Sequence, residues 1–485
     1  MIDSDDIMGA PHKLRGSFFV VEVRRRCNYN VSMTREQKIA LAVATGTAFA
    51  TAFSGSALNL AIPTMGNYFH MGAANVGWIT TAYMLAVAAM AVPFGKIADN
   101  TSRRNTLILG VGIFGVFSVL GIWAWSAACI LFVRAVQGVG AAMIFATNMP
   151  IAISTFPGKE RGRAIGICTS GAYVGLAIGP ALGGFLNNMF GWKSIFIFGA
   201  VVAFVFLGLA LTLHEDKQEK AGPGFDLGGN IVYMMMIACI IYGFTSLNST
   251  RFGWAFLVGG LLMGVLFVLI ELKSKNPVID VRIFAEDRVF TFSNITALFN
   301  YSATFALGYL VSIYLQVGHG LTSQTAGLIM MAQPVLMAVF SPWTGKMSDR
   351  VPAYKLASSG MAVCAITLLF FAFAQISTPL WTVCAALAIA GVGIAMFSSP
   401  NTNVIMGCVP PSKFAVANSI VSTMRTTGQT MSMAVITIVV SATVGNISLY
   451  DVPQAELMHT MHICFFIFTA LCIMGIFMSL QRRKS

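Results

Sequence analysis

The sequence predicts an all-α polytopic membrane protein, a bundle of fourteen transmembrane helices. Three observations carry that prediction. First, 56% of the 485 residues are hydrophobic and only 10% are charged, against about 25% charged in a soluble domain. That much apolar surface cannot be hidden in one soluble core, so lipid is the solvent. Second, fourteen apolar segments are long enough to cross a bilayer. Third, the few Lys and Arg residues are concentrated in every second loop and nearly absent from the loops between.

A helix needs about 20 apolar residues to cross roughly 30 Å of hydrocarbon. The segments that qualify are 40–64, 75–95, 105–125, 129–152, 164–187, 194–213, 229–247, 254–272, 289–316, 324–343, 356–376, 380–406, 414–443 and 460–480. Most connections are short, so neighbouring spans are antiparallel and no soluble domain of any size is expected. Residues 1–32 are polar, mixed in charge and without helical period. Met33-Thr-Arg-Glu-Gln-Lys leads straight into the first span. The expectation is that Met33 is the initiator and that 1–32 are an artefact or a disordered extension. Intact mass of the natively expressed protein tests it, and a full arm would refute it.

Orientation follows from the basic residues. Of the 30 Lys and Arg, 19 lie in loops after even-numbered spans or in the C-terminal tail, and 7 lie in the N-terminal arm. The opposite loops hold Lys193 and Arg251, and Arg134 and Arg425 lie within spans. Both termini are therefore expected in the cytoplasm, with the chain in the cell (cytoplasmic) membrane. The net charge of +12 is a topology signal, and no nucleic-acid partner is expected. Nine cysteines are scattered singly, without CxxC or metal-type spacing, so they read as helix residues rather than metal ligands. No G-x-x-x-x-G-K-[ST] occurs, so ATP hydrolysis has no motif here. No enzyme activity, cofactor or metal is expected.

The loop after span 2 reads Gly95-Lys-Ile-Ala-Asp99-Asn-Thr-Ser-Arg103-Arg104, and that after span 10 reads Gly345-Lys-Met-Ser-Asp349-Arg350. The shared G-K-x-x-D marks an internal repeat, as in transporters whose two parts rock about a midplane site. Gly permits a tight helix end. Asp can accept from a helix N-terminus or from Arg across a loop. These seven residues, Gly95, Asp99, Arg103, Arg104, Gly345, Asp349 and Arg350, form the expected latch. A lone copy would read as a solvated turn. In span 5, Gly171, Gly175, Gly179 and Gly183 recur every four residues, with Pro180 and Gly184 beside them. Such a face lets another backbone approach closely, either as plain packing or as a hinge or seal between halves.

In these motifs the chain resembles the major facilitator superfamily. Gly95 to Arg104 is similar to its loop 2–3 signature, Leu131-Phe-Val-Arg134-Ala-Val-Gln137-Gly138-Val-Gly140 to its span 4 motif, and Gly171 to Gly184 to the span 5 motif of antiporters. With fourteen spans, the resemblance is to the fourteen-helix drug/proton antiporter family. It extends to Trp78–Tyr83, Gly191-Trp192 and Gly224-Phe-Asp-Leu-Gly, and covers about residues 40 to 480. It implies a cytoplasmic arm 1–38, a six-helix half 39–213, two inserted helices with linkers 214–288, a second six-helix half 289–480 and a tail 481–485. It also implies alternating-access transport of a small molecule by a monomer in the bilayer.

One departure matters. The family places an acid late in span 1, whereas this chain has Phe53-Ser54-Gly-Ser56-Ala-Leu-Asn59-Leu-Ala-Ile-Pro63. All 18 carboxylates fall in the arm, in loops or at helix ends, with Glu271 nearest the lipid. A cation exporter needs a buried acid that titrates, so neutral or anionic substrates are expected. Intramembrane charges usually line a cavity or meet a partner. Arg134 is read as facing the cavity, the alternative being a structural Arg bonded to carbonyls and Gln137. Arg425 is read the same way, the alternative being that Arg425-Thr-Thr-Gly428 is mainly packing. Asn59, Asn148, Asn300, Tyr301 and Gln333 complete the candidate substrate-binding set, and some of them act only as helix glue. The leading reading is export of small amphipathic compounds. The rivals are uptake or facilitated diffusion of a metabolite, and a transporter-like receptor without flux.

Overall fold

The computed structural model describes residues 33–71, 78–214, 226–246, 252–274, 276–443 and 453–482. The expected arm 1–32 and the loop charges Lys217, Lys220 and Arg251 lie outside the described residues. Among those described, every regular element is helical. In chain order the long helices are α1 (Arg35–Tyr68), α2 (Trp78–Asn100), α3 (Arg103–Ile122), α4 (Ala127–Ser154), α5 (Arg161–Phe190), α6 (Lys193–Leu211), α7 (Leu227–Ser246) and α8 (Gly253–Lys273). Then come α9 (Arg288–Ile313), α10 in two pieces (Ser323–Met330 and Ala332–Ser348), α11 (Ala353–Phe373), α12 (Leu380–Gly407), α13 (Phe414–Thr443) and α14 (Gln454–Gln481).

The helix starts are written locally. Ser102, Ser126 and Asp287 accept from the backbone N–H three residues on, in Asn105, Cys129 and Phe290, at 3.2, 3.2 and 3.0 Å. This satisfies one of the donors that a helix leaves open at its start. Gly191 ends α5 at φ +76°, a conformation that favours glycine over residues bearing a Cβ.

Among the described residues, thirteen helices are long and apolar enough to cross a membrane. The expected segment 414–443 is present as α13 but is not among those thirteen. It is rich in polar residues, which it turns inward: Ser419, Ser422, Thr423 and Ser432 are all buried. The Thr423 and Thr426 hydroxyls do not need lipid contact, since one pairs with Tyr233 and the other with the Ser422 carbonyl. The outward surfaces are the reverse. On α8, Leu261, Leu262 and Val265 are exposed, which only a lipid solvent tolerates in a row.

Helices α1 to α6 form one bundle, with α1 against α5 and α6, α2 against α4, and α3 against α4 and α6. Helices α9 to α14 form a second, with α9 against α13 and α14, α10 and α11 against α12, and α11 against α14. The bundles meet along α5–α10 and α2–α13. The pair α7–α8 leans on α2 and α13, where Trp78 and Tyr242 rings lie 5.6 Å apart and the Tyr233 hydroxyl pairs with Thr423 at 2.9 Å.

Candidate functional site

The face on which α2, α4, α10 and α12 end carries both G-K-x-x-D turns, and is called the basic face below. There the two bundles are fastened by a reciprocal pair of carboxylate clamps. Asp99, at the end of α2, accepts the N–H of Ala415 at 3.2 Å and of Val416 at 3.0 Å, in the first turn of α13. Asp349, just past α10, accepts the N–H of Gly162 at 2.8 Å and of Arg163 at 3.1 Å, in the first turn of α5. Each carboxylate thus satisfies open donors of a helix in the opposite bundle, at its positive dipole end.

The two clamps differ in their cations. Asp99 is paired with Arg103 through Nε at 2.9 Å and Nη2 at 2.6 Å, and Arg103 also donates to the Pro411 carbonyl across the seam. Arg350 does not repeat this role: it is exposed at the surface. Asn403 stands in instead, donating to Ser348 at 3.0 Å and toward Asp349 at 3.4 Å. Half-burial pushes the Asp349 carboxyl above its ordinary pKa, opposed by the N–H groups of Gly162 and Arg163. Arg104 turns within its own bundle, to the Leu211 carbonyl at 2.8 Å. Buried Phe414 links the clamps, with the guanidinium groups of Arg103 and Arg161 over its ring at 5.7 and 5.2 Å.

Two glycines set how closely the seam shuts. A Cβ on Gly95 would lie 2.9 Å from the Ala415 carbonyl oxygen, and one on Gly345 would lie 2.9 Å from Gly166 Cα. The span 5 stripe does something else. Cβ atoms on Gly171 and Gly175 would meet the Thr45 and Phe49 carbonyls at 2.5 and 2.6 Å, and those on Gly179 and Gly183 would meet Ser56 and Ala57 at 2.7 and 2.6 Å. The stripe therefore seats α5 on α1 inside one bundle. The seal between bundles uses the earlier glycines Gly162 and Gly166, against Gly345 and Ser341 of α10. Pro180 frees the Leu176 carbonyl, and the Ser56 hydroxyl donates to it at 3.2 Å. Gly184 lies half-buried on the same helix.

Above the clamps, side chains from both bundles converge. Arg425 of α13 is half-buried, its guanidinium 5.4 Å from the Phe145 ring of α4 and 5.9 Å from the Tyr301 ring of α9. The Tyr301 hydroxyl pairs with Ser398 of α12 at 3.1 Å, and Tyr173 of α5 lies beside the same serine. All five lie about 9 to 13 residues from the basic end of their helices, or roughly 14–20 Å at 1.5 Å per residue. That is close to the middle of a bilayer core of about 30 Å. Among the described residues, no carboxylate lies at this depth: Asp99, Glu271 and Asp349 are all at the basic ends.

The sequence pointed to Arg425 and Tyr301 but missed Phe145, Tyr173 and Ser398. Tyr173 was the findable one, since it is the one large polar side chain in Gly171-Ala-Tyr-Val-Gly175. Arg134 has the surroundings of the second of its two readings, a carbonyl and Gln137. It is fully enclosed among α2, α3 and α4, donating to the Ile79 carbonyl at 3.1 Å and to Gln137, with its guanidinium 4.2 Å from the Tyr83 ring. Gln137 is in turn tied to Ser118 at 2.7 Å. The reason is geometric: Gly138 lets α4 close on the Tyr83 backbone of α2, which turns Arg134 into the bundle. Asn300 is also fully buried, beside Cys364 in the second bundle. Asn148 is buried and folded back onto the Met149 N–H at 2.7 Å. Gln333 is half-buried where α10 crosses Gly391 of α12. Asn59 is on α1, but its side chain lies outside the described residues.

The chain is similar to the riboflavin transporter RibZ of Clostridioides difficile, with 31% identity over 379 residues, covering 78% of this chain and 82% of that one. It is similar to the multidrug resistance protein Stp of Mycobacterium tuberculosis, with 29% identity over 420 residues, 84% of this chain and 77% of that one. The crystal structure of the human organic anion transporter MFSD10 (TETRAN) matches 92% of this chain and all of that one, with a TM-score of 0.67 and 12% identity, a likeness of fold alone. The Major Facilitator Superfamily profile matches residues 44–275 and 293–485. With this coverage, two packed helical bundles and the repeated clamp turns, the chain belongs to the Major Facilitator Superfamily.

Proposed function

We propose that this transporter exports small amphipathic compounds of neutral or anionic character by alternating access, binding them at the seam around Arg425. One observation carries the proposal: the half-buried charge at mid-depth between the bundles is a guanidinium flanked by aromatic rings and hydroxyls, with no carboxylate among the described residues at that depth. Such a site attracts a planar or anionic group and repels a lipophilic cation. Export is supported by the multidrug resistance name of Stp. The riboflavin transporter name of RibZ favours a second reading, movement of a metabolite through the same site.

The proposed organisation is fourteen spans, as in the drug/proton antiporter family, with halves 39–213 and 289–480 around the inserted α7–α8 pair. Both termini are cytoplasmic and the unit is a monomer. The basic face is then the cytoplasmic gate. Asp99, Arg103, Gly95, Gly345 and Asp349 shut it, while the Gly171–Gly184 stripe keeps α5 rigid on α1. A ligand-stabilisation screen sorted by charge tests the substrate class. Anionic and neutral amphiphiles should raise the melting temperature of the wild type and lose that effect in Arg425→Gln. Stabilisation by cations alone would refute the proposal.

A further inference from the structure

A second cationic site lies far from the seam, at the basic end of α14. Arg482 directly follows that helix and is only 4% exposed. Its Nε, Nη1 and Nη2 are all buried without a hydrogen-bond partner. Burial pushes its pKa down to about 10, so it remains charged at neutral pH. The titratable groups beside it are the Cys408 thiol and, next to that thiol, Asp287. The thiol is no counter-ion, because burial and Asp287 push its pKa up to about 12. The Asp287 carboxylate accepts the Phe290 N–H at the start of α9 and faces that thiol, and no hydrogen bond joins it to Arg482. A guanidinium has five donors in a rigid fork, and burying it with none of them answered is unfavourable unless an acceptor arrives.

The location says which acceptor. On the same helix, Met474, Phe477 and Leu480 are among the exposed apolar residues and face lipid. Arg482 lies just beyond them, where acyl chains give way to headgroups, on the side of α14 turned toward the ends of α9 and α12. The guanidinium fork matches phosphate oxygens bidentately. We infer that Arg482 is a binding site for the phosphate of an anionic phospholipid, held against the ends of α9, α12 and α14.

Native mass spectrometry of the detergent-purified full chain tests this with three probes: phosphatidylglycerol, phosphatidylcholine and inorganic phosphate. Wild type should retain phosphatidylglycerol in preference to phosphatidylcholine. Arg482→Gln should retain about tenfold less, the loss of one charge-assisted contact. Arg482→Lys, which keeps the charge but not the fork, should fall between. Lys355→Gln removes an exposed charge from the same face and should behave as wild type. Equal phosphatidylglycerol retention in Arg482→Gln would overturn the site. Should that variant fail to fold, absence of any phosphatidylglycerol preference in the wild type would overturn it equally. Arg482-dependent binding of inorganic phosphate without lipid retention would overturn the lipid assignment and leave a soluble phosphate site.

Discussion

Asp99 and Asp349 stand 250 residues apart in the chain, yet each caps the first turn of a helix in the bundle to which the other belongs. Asp99 reaches α13, and Asp349 reaches α5. The two clamps run in opposite directions across one seam, so parting the bundles there would break both together. The clamps are unequal, because Asp99 also neutralises Arg103, which is 3% exposed, while Asp349 is backed by the neutral Asn403.

That inequality makes a graded prediction. In Asp99→Asn, Arg103 loses its contacts with a buried carboxylate, so the closed state should lose about 3 kcal/mol, drawing on the cost of breaking a buried pair. Asp349→Asn removes only charge-assisted bonds to backbone N–H groups and should cost about 1–2 kcal/mol. Distances between spin labels across the basic face should shift toward the open state in both, and further in Asp99→Asn, with helical content unchanged. Equal populations in wild type and Asp99→Asn would mean that the turn does not hold the seam.

The glycines separate the seal from the scaffold. A bulky side chain at Gly166 would strike the Ser341 carbonyl at 2.5 Å and Pro342 Cα at 2.8 Å, contacts that cross the seam between the bundles. Gly166→Leu should therefore hold that face open and stop turnover while leaving the melting temperature near wild type. Gly175→Leu would instead wedge α1 from α5 against the Phe49 carbonyl, and should lower stability by about 1–3 kcal/mol, the cost of overpacking. Thermal unfolding and label distances together distinguish the two. Identical behaviour would contradict the assignment of seal and scaffold.

Arg134 is predicted to act on the fold. In Arg134→Gln the Ile79 carbonyl and Gln137 lose their donor, which should cost about 1–3 kcal/mol of stability. The charge preference of bound ligands should not change. A reversal of ligand charge preference in Arg134→Gln, with stability intact, would place this arginine in the binding site after all.

The membrane bundle and the repeated turns were legible because they are written in single-chain patterns: apolar run length, Lys and Arg bias, and two copies of G-K-x-x-D. What was not legible was rotation. Arg134 and Arg425 are equally intramembrane in the sequence, and only the neighbours of α4 and α13 decide which guanidinium is enclosed and which meets the seam. The glycine stripe has the same limit, since a close-approach face does not name the helix that approaches it. Arg350 looked like a second Arg103, but it lies one residue after its Asp rather than four. A helix places i and i+4 on one face, as Asp99 and Arg103 are, and one residue is too few for that. The polar face of α13 also shows why hydropathy under-reads a helix that turns its hydroxyls inward.

The substrate reading rests on Arg425, and flux under a controlled potential tests it most directly. Wild type and Arg425→Gln would be reconstituted in proteoliposomes, with the potential set by potassium and valinomycin at equal pH on both sides. An inside-negative potential favours monoanion exit by about 2.3 kcal/mol per 100 mV, an equilibrium ratio of roughly fiftyfold. Efflux of an amphipathic anion should rise with that potential in wild type and fall at least tenfold in Arg425→Gln. Transport that follows only a pH gradient, or that prefers ethidium over anions, would contradict an anion-selective site at Arg425.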